Sequence, residues 1–325
     1  MEIGKVPNDI LNKTVLGKLN NKRSEVILRP RVGEDCCAVD FDNYTCVLSN
    51  DPVTGAINEV GRIAVHVSCN DVAACGAEPL GLLVTILAPP GTYDADIETI
   101  MTQLSETADS LNVDIMGGHT EITTSVTRFV IVTTAIGKVP KNKLVTSSGA
   151  KEGDSIILTK TAGMEGTAII AHDKEKILSE KFGEEFVNRA KAFIENISVV
   201  KEGIIAGRFG VNAMHDVTEG GVLGALWEVA EASGKGLVTY YESIPVAHET
   251  EKICRLYSID PLRLISSGCM VITCSDGEGL VKELESNGIK ATIIGRITGE
   301  KEKILYKGNK AAIIEQPGPD ELFKV

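Results

Sequence analysis

Neither of the two readily recognised glycine-rich phosphate cradles is present. No G-x-x-x-x-G-K-[ST] loop and no G-x-G-x-x-G fingerprint occurs in the 325 residues, so any nucleotide is held by another design. No C-x-x-C occurs, and no cysteine has a histidine at zinc-finger spacing. The eight cysteines (36, 37, 46, 69, 75, 254, 269 and 274) therefore read as small buried apolar residues of a reducing compartment. Adjacent Cys36 and Cys37 would point to opposite faces of a strand and could not easily share a metal. Aromatic residues are scarce at 4%, against 43% apolar residues and 32 glycines, which suits helices and strands joined by tight turns better than a β-sandwich or a coiled coil. Positive charge is in deficit. With 33 Lys and Arg against 45 Asp and Glu, the net charge of −12 excludes the phosphate-neutralising surface of a non-specific nucleic-acid binder. Divalent metals could still bridge carboxylates to nucleotide phosphates. No apolar run approaches the ~20 residues needed to span a membrane. The opening M-E-I-G-K-V-P lacks the basic-then-apolar design of a signal peptide, so a cytoplasmic protein is expected.

What is present divides at the polar turn T-S-S-G-A-K-E-G-D (146–154) into halves 1–147 and 148–325. In the first, periodicity predicts helices over Pro7–Asn20, Asn58–Cys75 and Asp94–Leu111, the last with Asp94 as N-cap. Strands are predicted at Cys36–Phe41, Tyr44–Ser49, Leu82–Ala88, Val113–Met116 and Arg128–Ile136, with Asp42-Asn43 as a hairpin turn. The second half also alternates strands and helices, so the class is α+β or α/β.

Four polar clusters stand at predicted strand ends or beside glycines: G-E-D (33–35), S-N-D-P (49–52), S-C-N-D (68–71) and G-G-H-T-E (117–121). Loops at strand ends are where such folds place ligand groups. Magnesium takes hard oxygen ligands from a few carboxylates plus substrate phosphates, which makes Asp35, Asp51 and Asp71 candidate metal ligands. Taken alone each is more often a turn or cap residue, and their recurrence beside Gly, Asn or Pro raises the functional reading. Gly117 and Gly118 would let a backbone approach a ligand closely. His119 either donates to phosphate, transfers a proton, or satisfies a buried hydrogen bond. Asp216 and Thr218, ahead of Gly220-Gly221 and a predicted helix, read either as a plain cap or as an anion-binding helix start.

Taken in order, G-E-D-C-C-A-V-D, S-N-D-P-V-T, N-D-V-A-A-C-G-A-E-P, G-G-H-T-E and N-A-M-H-D-V-T-E-G-G resemble the PurM-like (AIR synthase-related) ATP-binding superfamily across nearly the whole chain, and within it the HypE family of hydrogenase expression/formation proteins. The resemblance implies an N-terminal domain that forms a β-barrel across a homodimer and a C-terminal α/β domain that closes a nucleotide cleft. It implies ATP and Mg2+ as cofactors. Asp35, Asp51 and Asp71 would hold the metal, Asn70, Gly117, Gly118, Thr120, Asp216, Thr218, Gly220 and Gly221 would line the cleft, and His119 and Glu121 would be the catalytic pair. The family chemistry is ATP-dependent activation of an amide- or carbonyl-type oxygen, or phosphorylation of a small or carrier-bound substrate, with a maturation factor as a further expected partner.

Two departures stand out. HypE proteins dehydrate a carbamoyl group on a C-terminal cysteine, whereas this chain reads P-G-P-D-E-L-F-K-V after a last cysteine at 274. Where they show G-D-T-K, it has G-H-T-E. Alternatives are therefore a nucleotide-binding accessory protein without turnover, and a small-molecule kinase resembling thiamine-monophosphate kinase or selenophosphate synthetase.

Overall fold

The computed structural model describes residues 5–19, 22–54 and 59–325. Its first half is built on a six-stranded sheet of β1 (Val26–Leu28), β2 (Cys37–Phe41), β3 (Tyr44–Val53), β4 (Glu78–Ala88), β5 (Asp114–Ile122) and β6 (Val130–Pro140). The spatial order is β1-β2-β3-β6-β4-β5, antiparallel except between β4 and β5. Alternation along the central strands turns Val47, Ser49, Leu82, Val84, Ile131 and Thr133 toward helix α2 (Val60–Ala74), which is buried along nearly its whole length. Helix α3 (Asp94–Ser110) packs beside α2 through Ile100 and Leu104, each contributing about 1.5–3 kcal/mol by burial. The opposite sheet face carries Cys46, Leu48, Leu83, Val132 and Ile136, which remain half-buried or exposed.

The second half holds a seven-stranded sheet of β7 (Ser155–Thr159), β8 (Ala213–Asp216), β9 (Gly236–Tyr240), β10 (Met270–Cys274), β11 (Ala291–Thr298), β12 (Lys303–Lys307) and β13 (Lys310–Ile313), ordered β13-β12-β9-β11-β7-β10-β8. Only β9 and β12 pair in parallel. Helices α4 (Met164–Asp173), α5 (Glu175–Phe182), α6 (Glu184–Lys191), α7 (Val200–Phe209), α8 (Gly221–Ser233), α9 (His248–Tyr257) and α10 (Gly277–Ser286) pack on it and on each other. With one parallel pair per sheet the class is α+β, which corrects the α/β expectation for the second half.

Several predicted elements shift. The first helix, α1 (Asn8–Thr14), is half the expected length and buries none of its residues; Asn20, its predicted end, lies outside the described residues, as does Asn58. Asp94 does not cap α3; instead the Asp96 carboxylate accepts from the Tyr93 N–H at 2.9 Å. Most consequentially, S-N-D-P lies within β3, S-C-N-D within α2 and G-G-H-T-E within β5, so only G-E-D is a loop. The two halves meet where α2 packs against α7. A Cβ on Gly203 of α7 would overlap the Ala73 carbonyl, so the approach requires glycine.

Candidate active site

A cleft of about 710 Å³ opens between the halves, lined from the first by Asp35, Asp51 and Asp71 and from the second by Glu165, Thr218 and Ser267, among others. The metal candidates therefore converge, each from a different element. Asp35 precedes β2, Asp51 sits in β3, and Asp71 is in the last turns of α2. Ser49, two residues before Asp51 and so on the same strand face, accounts for part of this convergence. Its buried hydroxyl lies 2.8 Å from an Asp51 oxygen and also contacts Asp71. One hydroxyl proton cannot serve two carboxylates, so the contact calls for a further proton or cation. Burial, together with the charges of Asp216, Asp51 and Asp35, holds the Asp71 carboxyl well above the usual carboxylate range.

Asp216, at the end of β8, completes the cluster from the second half. It is buried, neither carboxylate oxygen has a hydrogen-bond partner among the described residues, and burial and Asp35 push its pKa up to about 6. Oxygen or nitrogen atoms of Asp35, His215 and Asp216 all lie within 4.8 Å of one another. Crowded carboxylates with orphaned oxygens are what a hard divalent cation requires, so the residues present fit Mg2+. Asp35, Asp71 and Asp216 would hold it, with Asp51 beside them.

His215 is a site residue that the sequence reading passed over, although it stands directly before Asp216. Its Nδ1 is 3.3 Å from Asp35 and its Nε2 is 3.0 Å from Glu228 on α8. Burial disfavours its charge, but the hydrogen bond to Glu228 and the carboxylates around it raise its pKa to about 9. An imidazolium gripped from both sides fixes the orientation of Asp35. Lys5 also lines the cleft. Burial opposes its charge, but Glu228, Asp35, Glu219 and Asp71 outweigh that and hold it protonated.

Other sequence-predicted residues fall elsewhere. Asn70 points away from Asp71: its amide donates to the Ile197 carbonyl at 2.8 Å and accepts from the Val199 N–H at 2.8 Å, tying α2 to the chain ahead of α7. Gly220 and Gly221 adopt positive φ at the start of α8, but the Gly220 N–H is taken by Asp320 at 2.8 Å, and a side chain on Gly221 would strike the backbone of Leu262–Leu264. Gly118 makes its close approach to β4, where a Cβ would overlap the Val84 carbonyl. Register places Gly118 beside Val84, Val84 beside Thr133 and Thr133 beside Asp51. Three strand spacings separate Gly118 from Asp51, about 14 Å. Thr120, His119 and Glu121 therefore stand on an exposed edge strand away from the cluster. The His119 Nε2 is 3.4 Å from Glu121, and neither lines the cleft. Cys36 and Cys37 differ in burial as alternation requires, and all eight cysteines are free.

Comparison with known proteins identifies two matching regions along the chain. Residues 33–139 match the AIR synthase related protein N-terminal domain, and residues 151–307 match the corresponding C-terminal domain. A hydrogenase expression/formation protein of Methanocaldococcus jannaschii is 28% identical, over 99% of this chain and 97% of its own length. The carbamoyl dehydratase HypE of Cupriavidus necator is 30% identical over 74% of this chain and 68% of its own. Among solved structures, one from a HypE–HypF complex superposes with a TM-score of 0.78 at 23% identity, covering 95% of this chain and 99% of its own. An Aquifex aeolicus thiamine-monophosphate kinase complexed with AMPPCP and TMP gives 0.73 at 19%, covering 98% of each chain. A HypE complex with ATP gives 0.70 at 17%, covering 98% and 97%. The chain belongs to the AIR synthase-related, PurM-like family and is a relative of HypE within it.

Proposed function

We propose that the chain is an ATP- and Mg2+-dependent enzyme of HypE-like type, which phosphorylates and so activates an oxygen of a small or carrier-bound substrate, with hydrogenase maturation as its setting and a maturation factor as its partner. The observation that carries this reading is the convergence of Asp35, Asp51 and Asp71 in the cleft between the halves, with Asp216 interacting with them. Bound Mg2+ would supply neutralisation of phosphate charge. The residues of the chain position that charge: His215 orients Asp35, and Ser49 spaces Asp51 from Asp71. A separate acceptor, as in a small-molecule kinase, is favoured over a self-carried thiol. None of the eight cysteines, all of them among the described residues, lines the cleft, and Cys274 is buried in β10.

A second copy completes the reading. The half-exposed apolar outer face of the first sheet, with Leu83 44% exposed, suits a homodimer. Across such a dimer His119 and Glu121 would act on the partner's cleft. Calorimetry with Mg·AMPPNP tests the first point: the wild type binds, Asp71→Asn does not, and a wild type that fails to bind sinks the proposal. Mixing Asp71→Asn with His119→Ala tests the second. If the residues act in trans, random reassociation restores roughly a quarter of wild-type ADP formation; if they act in cis, none returns.

A further inference from the structure

The cleft that holds the carboxylate cluster is also lined by Glu165 and Ser267, which converge from elements about a hundred residues apart. Glu165 is on the first turn of α4, 3% exposed, with Ile169 one turn later on the same face, and both line the cleft. Its Oε2 accepts from the Ser267 N–H at 3.2 Å. The Ser267 side chain is 1% exposed and lies close enough to influence Glu165, yet its Oγ completes no hydrogen bond among the described residues. A buried, unpartnered hydroxyl lining a cleft costs free energy unless a ligand or water completes it. Ile265, Leu322 and Phe323 give the same cleft apolar lining.

Resting on the nucleotide reading above, we propose that the part of the cleft around this pair is the acceptor subsite, with Glu165 as the base that takes the proton of the attacking group and Ser267 as the hydroxyl that orients it. The acceptor class is an O–H or N–H nucleophile on a body with an apolar flank, and water is its simplest member. As the acceptor–phosphorus bond forms, the bond from the γ-phosphorus to the β,γ-bridging oxygen breaks and ADP leaves. The acceptor's proton passes to the Glu165 carboxylate and then to solvent. Burial raises the Glu165 pKa to about 7, opposed by the hydrogen bond from the Ser267 N–H and assisted by the facing carboxylates of Asp320 and Glu219. That value suits a base working near neutrality.

The test uses ATP with water as acceptor, following ADP formation from pH 5.5 to 9, with Mg·AMPPNP calorimetry alongside. The wild type is expected to hydrolyse ATP slowly, with an acid limb near pH 7. Glu165→Gln should bind Mg·AMPPNP as the wild type does, while losing about 100-fold in rate and the acid limb. Ser267→Ala should lose about 10-fold and keep the limb. Glu165→Asp should restore part of the rate together with the limb. Glu165→Gln within twofold of the wild type, or retaining the limb, overturns the assignment. So does a wild type that binds Mg·AMPPNP but forms no ADP. Failure of the wild type to bind Mg·AMPPNP removes the nucleotide reading itself and is thereby distinguished from both.

Discussion

Replacing Glu165 by glutamine should stabilise the protein, and only at high pH. The carboxyl is buried, and its pKa stands at about 7 against an ordinary value of 4.5. Between those values the native state keeps a proton that the unfolded chain has released, so stability falls as pH rises through the window. The interval corresponds to about 3 kcal/mol of stability, fully present below about pH 4.5 and fully lost above about pH 8. Glutamine carries no charge to desolvate, and its amide oxygen can still accept from the Ser267 N–H. Urea titrations at pH 5 and pH 8 measure the difference. Trp227, the only tryptophan, lies on α8 against the core of the second half and reports its unfolding. The two proteins should agree within about 1 kcal/mol at pH 5, with the variant about 3 kcal/mol more stable at pH 8. An equal difference at both pH values would show that Glu165 is not held protonated by its surroundings, and the reasoning would fail. A residue whose removal stabilises the fold while slowing proton transfer is one kept for chemistry.

Three further predictions follow from the same geometry. Glu228→Gln leaves His215 without its charged Nε2 partner and should weaken Mg2+ affinity about 10-fold by calorimetry, without change in the far-ultraviolet spectrum. Asn70→Ala strands the Ile197 carbonyl and the Val199 N–H, and should cost about 2–4 kcal/mol in urea while leaving the Mg·AMPPNP affinity of folded protein unchanged; a selective loss of nucleotide affinity would return Asn70 to the ligand set. His66 is buried with its pKa lowered to about 4 by burial and by Arg62 and Lys160. The unfolded chain therefore binds a proton that the native state refuses, and stability should fall by up to about 3 kcal/mol as pH drops from 6.5 toward 4, a slope that His66→Gln removes.

The aspartates that converge in the cleft stood out in the sequence because they neighbour residues with a backbone role of their own, such as Gly33 and Pro52. The way they assemble did not. Asp51 and Asp71 belong to a strand and a helix, and only the sheet and helix packing that puts Ser49 between them shows that they meet. Asn70 illustrates the limit more sharply. Adjacent helical residues point about 100° apart, so a residue beside a ligand on a helix is poorly placed to share its target. On α2, Asp71 faces the cleft, and Asn70 consequently faces Ile197 and Val199.

The placement of G-G-H-T-E after a strand rather than within one has a different cause. An edge strand exposed on both faces carries no period-two pattern, so β5 did not read as a strand beyond Met116, and its glycines suggested a ligand where the close contact is with β4. Exposure on both faces is also the condition under which a strand is available to a second chain. The same loss of pattern that hid β5 from sequence reasoning therefore marks it as the surface where His119 and Glu121 gain or lose their role, and the mixed-variant experiment decides between those outcomes. Glu165 and Ser267 left no trace of either kind. They are common residue types a hundred positions apart, and only the meeting of α4 with the segment before β10 gives them a shared environment.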